Sequence, residues 1–268
     1  MKIFDSHCHL NDKSYNKDME AVIDRAARAD VKKIMVVGIT EETSRQAADI
    51  AAMFDGCYAS VGIHPHDATS CSKTVLGNLC RMADRPEVRA WGECGLDFNR
   101  MFSPRENQED CFVRQIEIAK ELDLPLIFHE RDSGGRFYEL VSTRMEKGQK
   151  GVVHCFSGSG EEMEKYLDLG FHIGVTGIVT IKKRAAELRR LIKDIPEDRI
   201  LVETDAPYLT PEPEKRTFRR NEPAFVRSVL MEIADIRQAD PEKLASAIWN
   251  NTCRLFAIDP CRAIDLDE

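Results

Sequence analysis

The stretch Arg89 to His129, RAWGECGLDFNRMFSPRENQEDCFVRQIEIAKELDLPLIFH, reads as strand, helix, strand. Arg89–Leu96 is a short β-rich run, and Leu126–His129 is another. Between them, residues 104–123 carry a helical period, with Phe112, Ile116, Ala119 and Leu122 forming one apolar stripe. Ser103-Pro104-Arg105-Glu106 offers an N-cap serine, a proline at the first helical position and a capping-box glutamate.

The same unit recurs outward in both directions. Further β-rich runs fall at Lys2–His9, Lys32–Ile39, Tyr58–His64, Gly151–Phe156, Phe171–Thr176 and Arg199–Asp205, separated by segments of helical period. Asp240-Pro241 opens a last helix. Alternation of this kind is the mark of a parallel sheet covered by helices. Eight units in 268 residues fit a single α/β domain, a (β/α)8 TIM barrel over 1–258, with 259–268 set apart as an acidic tail without a role. A doubly wound sheet is the competing architecture. It usually carries a glycine-rich phosphate loop after its first strand, and neither GxGxxG nor a Walker loop occurs here.

Composition narrows the function. The formal charge of −8 argues against a surface coated in basic residues for duplex binding, while leaving room for a local basic patch. Nine cysteines, an odd number with irregular spacing and no Cys-x-x-Cys, read as reduced thiols. No run approaches the ~18 apolar residues a membrane span needs, and Asp5, His7 and His9 interrupt any N-terminal apolar segment. A cytoplasmic protein without a membrane or an obligate protein partner is expected.

In a barrel of this kind the chemistry lies at the C-terminal ends of the strands. Six of the seven histidines fall there, namely His7, His9, His64, His66, His129 and His154; only His172 does not. Glu93 and Asp97 end the fourth strand, and Glu203 and Asp205 end the eighth. On a strand, residues i and i+2 share a face. His7 and His9 therefore point together with Cys8 turned away, and Glu203 and Asp205 are expected to form a second same-face pair. Taken singly, a His-x-His or a buried glutamate is more often structural. Taken together, four of these histidines, one glutamate and one aspartate could hold two divalent ions with the glutamate bridging. Imidazole-rich ligation favours zinc or manganese over magnesium. His66 and Glu203 read as residues that orient a ligand.

These residues lie in motifs that resemble those of the TatD family of metal-dependent deoxyribonucleases. The motifs are Asp5-Ser-His-Cys-His-Leu10, Val61-Gly-Ile-His-Pro-His66, Gly92-Glu-Cys-Gly-Leu-Asp-Phe98, Ser103-Pro-Arg-Glu-Asn-Gln108, His154-Cys-Phe-Ser-Gly158, Val202-Glu-Thr-Asp-Ala-Pro-Tyr-Leu209 and Arg220-Asn-Glu-Pro223. The resemblance implies a distorted barrel of the amidohydrolase-like superfamily. It implies one metal on His7, His9 and Asp205, another on His129 and His154, and Glu93 between them. It further implies 3′–5′ exonuclease action on single-stranded DNA, with RNA a second substrate. The chain departs from the family in one loop: Glu214-Lys-Arg-Thr-Phe-Arg-Arg-Asn-Glu-Pro223 stands where many members have His-Arg-Gly-Lys-Arg-Asn-Glu-Pro. A role for that histidine does not transfer.

For a phosphodiester substrate, Asp205 is the candidate proton acceptor. His64 either donates to a phosphate oxygen or makes a structural hydrogen bond. The basic run 215–220 offers Arg219 and Arg220 to phosphate and Phe218 to a base, unless it is merely a solvated loop; Arg131 is a further phosphate candidate. An amide, ester or phosphotriester hydrolase built on the same binuclear site is the alternative enzyme. A barrel serving only as a scaffold would not need converging ligands.

Overall fold

The structure is a computed structural model that describes residues 1–260. Its strands are β1 (Ile3–Cys8), β2 (Val31–Val37), β3 (Cys57–Val61), β4 (Val88–Asp97), β5 (Leu126–Arg131), β6 (Gly151–Val153), β7 (His172–Val175) and β8 (Ile200–Val202). They form one sheet in chain order, with every neighbouring pair parallel. The expected barrel is present. Its seam is irregular: β8 meets β1 through a single bridge between Cys8 and Ala206, beyond the end of β8. Backbone bonds from His9 N to Ala206 O (2.7 Å) and from Asp205 N to His7 O (2.9 Å) complete the closure. The seam therefore runs through three of the candidate ligands, His7, His9 and Asp205.

Strand alternation sorts the core into two compartments. Phe4, Met35, Ala90, Ile127 and Leu201 turn one way and pack with Trp249 and Phe256. Their chain neighbours Ile3, Ile34, Leu126, Phe128, Ile200 and Val202 turn the other way, under the covering helices. Phe112, from the predicted apolar stripe, stacks on Phe137 (5.4 Å between centroids) and meets Phe128 edge-on (6.0 Å). The helix Pro241–Leu255 carries Trp249. Lys33 is fully buried in that region, its ammonium 5.0 Å from the Trp249 ring. Lys33 Nζ also donates to the carbonyl of Asp259, the first residue of the expected tail. The rest of the expected acidic tail, from residue 261, lies outside the described residues.

Local expectations met mixed outcomes. Asp240 caps its helix as expected, accepting from Glu242 N (2.9 Å) and Lys243 N (3.0 Å). Ser103 does not cap: the helix is Arg105–Glu121, Pro104 holds the cap position, and Ser103 Oγ donates to His66 O at 2.8 Å. That serine ties the loop after β4 to the loop after β3. Several strands are also shorter than their sequence runs, so His9, His64, His154 and Asp205 stand on the loops just beyond. Gly95, at φ +147°, lets β4 pass close to β5, because a Cβ there would collide with the His129 carbonyl. Among the described residues, no helix is long and apolar enough to cross a membrane.

Candidate metal centre

The six residues expected to ligate do converge. His7 Nε2 and His9 Nε2 are 3.3 Å apart. Asp205 Oδ1 lies 3.4 Å from His9 Nε2 and 3.7 Å from His7 Nε2. Glu93 Oε2 is 3.5 Å from His7 Nε2, while its Oε1 is 2.9 Å from His129 Nδ1 and 3.5 Å from His154 Nε2. Glu93 thus reaches both halves of the cluster. Cys8 faces the core, as strand parity requires.

Hydrogen bonds to the far ring nitrogens fix the tautomers, and the tautomers decide which imidazoles have a free lone pair. His9 Nδ1 faces the Val37 carbonyl at 3.2 Å and must donate to it, which leaves Nε2 free to ligate. His154 Nδ1 donates to Glu203 Oε1 at 3.1 Å, with the same consequence. His64 is the reverse case. Its Nδ1 accepts the His66 backbone N–H at 3.1 Å, so the neutral ring carries its proton on Nε2, 3.4 Å from Glu93 Oε1. His64 lies within the Glu93–His129 group, but as a donor rather than a ligand.

The electrostatics follow from this packing. Burial, together with His129, lowers His64 to about 4 and keeps it neutral. Burial opposes charge on His129 and His154 as well. There Asp97 and Glu93 outweigh it and lift His129 to about 9, and Glu203 and Glu93 lift His154 to about 10. Glu93 is held well below the ordinary carboxylate range despite its burial, by His64, His154 and His129. Asp205 is lowered likewise, chiefly by His9 against the effect of burial.

Several partners were not legible in the sequence. Asp97 Oδ2 binds His66 Nε2 (2.7 Å) and His129 Nε2 (3.2 Å), which makes it the orienting group for the β3–β5 side. Its spacing of i+4 from Glu93 on β4 was the available signal. The predicted pair Glu203 and Asp205 is not held by strand alternation, because β8 ends at Val202 and Asp205 takes a left-handed φ of +56°. Both carboxylates nevertheless reach the His154 ring, Glu203 Oε1 at 3.1 Å from Nδ1 and Asp205 Oδ1 at 4.0 Å from Nε2. Glu203 turns to His154 and to the Cys155 backbone N–H (2.5 Å), while Asp205 turns to His9. A non-glycine residue in that conformation must be held there by its surroundings. Thr204 provides the hold: its N and Oγ1 donate to the two oxygens of Asp5, at 2.9 and 2.6 Å.

The substrate candidates fare differently. Arg131 and Arg219 are exposed. Arg220 is committed elsewhere: it donates to both Asp18 oxygens, at 2.8 and 2.6 Å, and lies 4.5 Å over the Tyr15 ring. Phe218 is half exposed and leans on Phe225, 5.1 Å between centroids.

With the geometry in place, the comparisons with known proteins are specific. A family model described as TatD related DNase matches residues 4–257. The 3′-5′ ssDNA/RNA exonuclease TatD of Rahnella sp. (strain Y9602) is 40% identical over 97% of this chain and 100% of its own length. That of Klebsiella pneumoniae (strain 342) is 40% identical over 96% of this chain and 98% of its own. Among solved structures, YJJV, a TatD homologue from Escherichia coli k12, matches with a TM-score of 0.87 at 31% identity, covering 96% of this chain and 98% of that one. A TatD family hydrolase from Entamoeba histolytica shares the fold, with a TM-score of 0.85 at 24% identity over 96% of this chain and 98% of that one. Family model, relatives and barrel geometry agree over nearly the whole length, and the chain belongs to the TatD family of deoxyribonucleases.

Proposed function

We propose that this chain is a 3′–5′ exonuclease that hydrolyses the terminal phosphodiester bond of single-stranded DNA or RNA and releases 5′-mononucleotides. The observation that carries the reading is the convergence of four imidazoles and two carboxylates at the barrel mouth, in a chain 40% identical to relatives named for that activity. The residues suit divalent ions. Among the described residues, the ion-pair partners of Glu93, Asp97, Glu203 and Asp205 are all histidines. Their charge is therefore balanced either by imidazolium protons or by a bound cation. His7, His9 and Asp205 would hold one ion, His129 and His154 the other, with Glu93 between them. Such ions, when bound, add positive charge at the phosphoryl oxygens and make water a stronger acid.

The remaining work belongs to the chain. Asp205, ionised and fixed by Thr204, accepts the proton of the attacking water and passes it to the departing 3′-oxygen as the P–O3′ bond breaks. The neutral His64 donates from Nε2 to a non-bridging phosphoryl oxygen. Asp97 holds His129 and His66 in their tautomers, and Glu203 does the same for His154. The exposed Arg131 and Arg219 meet the phosphates upstream.

The test is hydrolysis of a single-stranded oligonucleotide with added zinc, manganese or magnesium, followed by chromatography of the products. Stepwise 5′-mononucleotides are expected, with losses of at least ~100-fold for Asp205→Asn and Glu93→Gln. Nuclease activity retained in both variants would refute the site. Turnover of a phosphotriester or amide without nucleotide release would move the reading to that other class of hydrolase.

A further inference from the structure

Large exposed apolar side chains are few in this protein, and they are not scattered. Among the described residues, six exceed the exposure of ordinary surface packing, and four of them (Met101, Phe102, Tyr208 and Phe218) lie in the loops after β4 and β8, at the mouth of the barrel. Two of these four touch the metal centre. The Tyr208 ring, 55% exposed, stands edge-on to His9 with centroids 6.1 Å apart and planes at 66°. The Phe102 ring, 67% exposed, stands edge-on to His66 at 4.7 Å and 84°. The ring neighbour of Phe218 is Phe225 rather than a histidine of the centre.

The two rings sit at opposite ends of the cluster. From Tyr208 the path of contacts runs through His9 to Glu93, then to His129, Asp97 and His66, and ends at Phe102. A phosphodiester held over Glu93 has one nucleoside on each side of its phosphorus, so one ring falls on each side of the scissile bond. Each ring leaves more than half of its surface in water instead of in the core. An aromatic face left open beside a phosphate site is what sequence-tolerant binding of single strands requires, since every base has a π-face.

Resting on the exonuclease reading, we infer that Phe102 and Tyr208 are two base-stacking positions that flank the scissile phosphate, one for the 3′-terminal base and one for the base before it. The substrate class that follows is an unpaired strand with at least two stackable bases at its 3′ end, because a paired base does not offer its face.

The test uses thymidine octanucleotides carrying a baseless tetrahydrofuran nucleotide at the terminal or the penultimate position, compared with the full octamer by kcat/KM. Wild type should prefer the base-bearing strand by about 10-fold at each position, the size of a lost base–aromatic stack. Phe102→Ala should abolish the preference at one position and Tyr208→Ala at the other, whereas Phe102→Trp and Tyr208→Phe should keep both. 2-Aminopurine placed at each position supplies a readout independent of turnover: its fluorescence is quenched on binding by wild type, and the quench should vanish in the matching alanine variant only. Preferences that survive both alanine substitutions, or a wild type indifferent to baseless positions, would overturn the inference and leave the exonuclease reading standing. Failure of wild type to release nucleotides from any strand would overturn both.

Discussion

Asn221 offers the sharpest test of how the site is held. The residue is fully buried, and all its polar groups are used. Its Nδ2 donates to Thr204 O (2.9 Å) and Tyr208 O (2.6 Å), and its Oδ1 accepts Glu222 N–H (2.9 Å). Its carbonyl accepts the Tyr15 hydroxyl at 2.5 Å. The side chain therefore clamps the loop on both sides of Asp205. Asn221→Ala deletes three side-chain bonds at about 1 kcal/mol each, and water offsets part of the loss at Tyr208 O, so destabilisation of about 2–4 kcal/mol is expected. For a chain of this size that lowers Tm by roughly 5–10 °C. Asn221→Asp keeps the shape but turns a carboxylate oxygen toward two carbonyl oxygens, and it should be at least as damaging. Displacing Asp205 by a fraction of an ångström should also cost 10- to 100-fold in kcat, of the order known for misplaced groups. Calorimetry at fixed metal concentration and single-strand turnover measure the two effects. An Asn221→Asp protein that melts within about 1 °C of wild type and turns over normally would refute the clamp.

Two further perturbations act elsewhere in the fold. Gly174→Ala puts a Cβ 2.6 Å from Glu203 Oε2; overpacking should cost about 1–3 kcal/mol and, by pushing Glu203 off His154, weaken metal binding 10- to 100-fold. Chelator competition decides this, and unchanged metal affinity would sever Glu203 from the site. His172, the one histidine away from the centre, is buried at the start of β7, where burial and then Arg199 lower it to about 4. Because its folded pKa lies below that of the unfolded chain, near 6.5, stability is full above pH 6.5 and falls as pH drops toward 4, by about 3 kcal/mol at the limit. Urea unfolding at pH 7.5 and 4.5 should show a smaller loss for His172→Leu than for wild type by about 2.5 kcal/mol; parallel losses would refute it.

What the sequence made legible, and what it did not, divides along the reach of the physics involved. The eight units and the candidate ligand types were readable because alternation, periodicity and residue chemistry are local properties. Strand parity turned Cys8 away from His7 and into the core, a local relation that holds although β1 carries a register irregularity between Asp5 and Cys8. The same rule does not extend to Glu203 and Asp205, because β8 stops at Val202 and the backbone of Asp205 is left-handed; they meet at His154 by another route. Had parity been applied along β4, it would have paired Asp97 with Glu93, since that strand does run to Asp97. The remaining misses all concern partners distant in the chain. Ser103 looks like a cap until the carbonyl of His66 is seen beside it. Arg220 looks like a phosphate ligand until Asp18, at the other end of the sequence, is found within its fork. Metal ligands need only the right donor atom near the right strand end, whereas the groups that orient them depend on contacts closed by the fold. That difference assigns the experiments: substituting His7, Glu93 or Asp205 tests the chemistry, and substituting Asp97, Glu203 or Asn221 tests whether the barrel holds that chemistry in register.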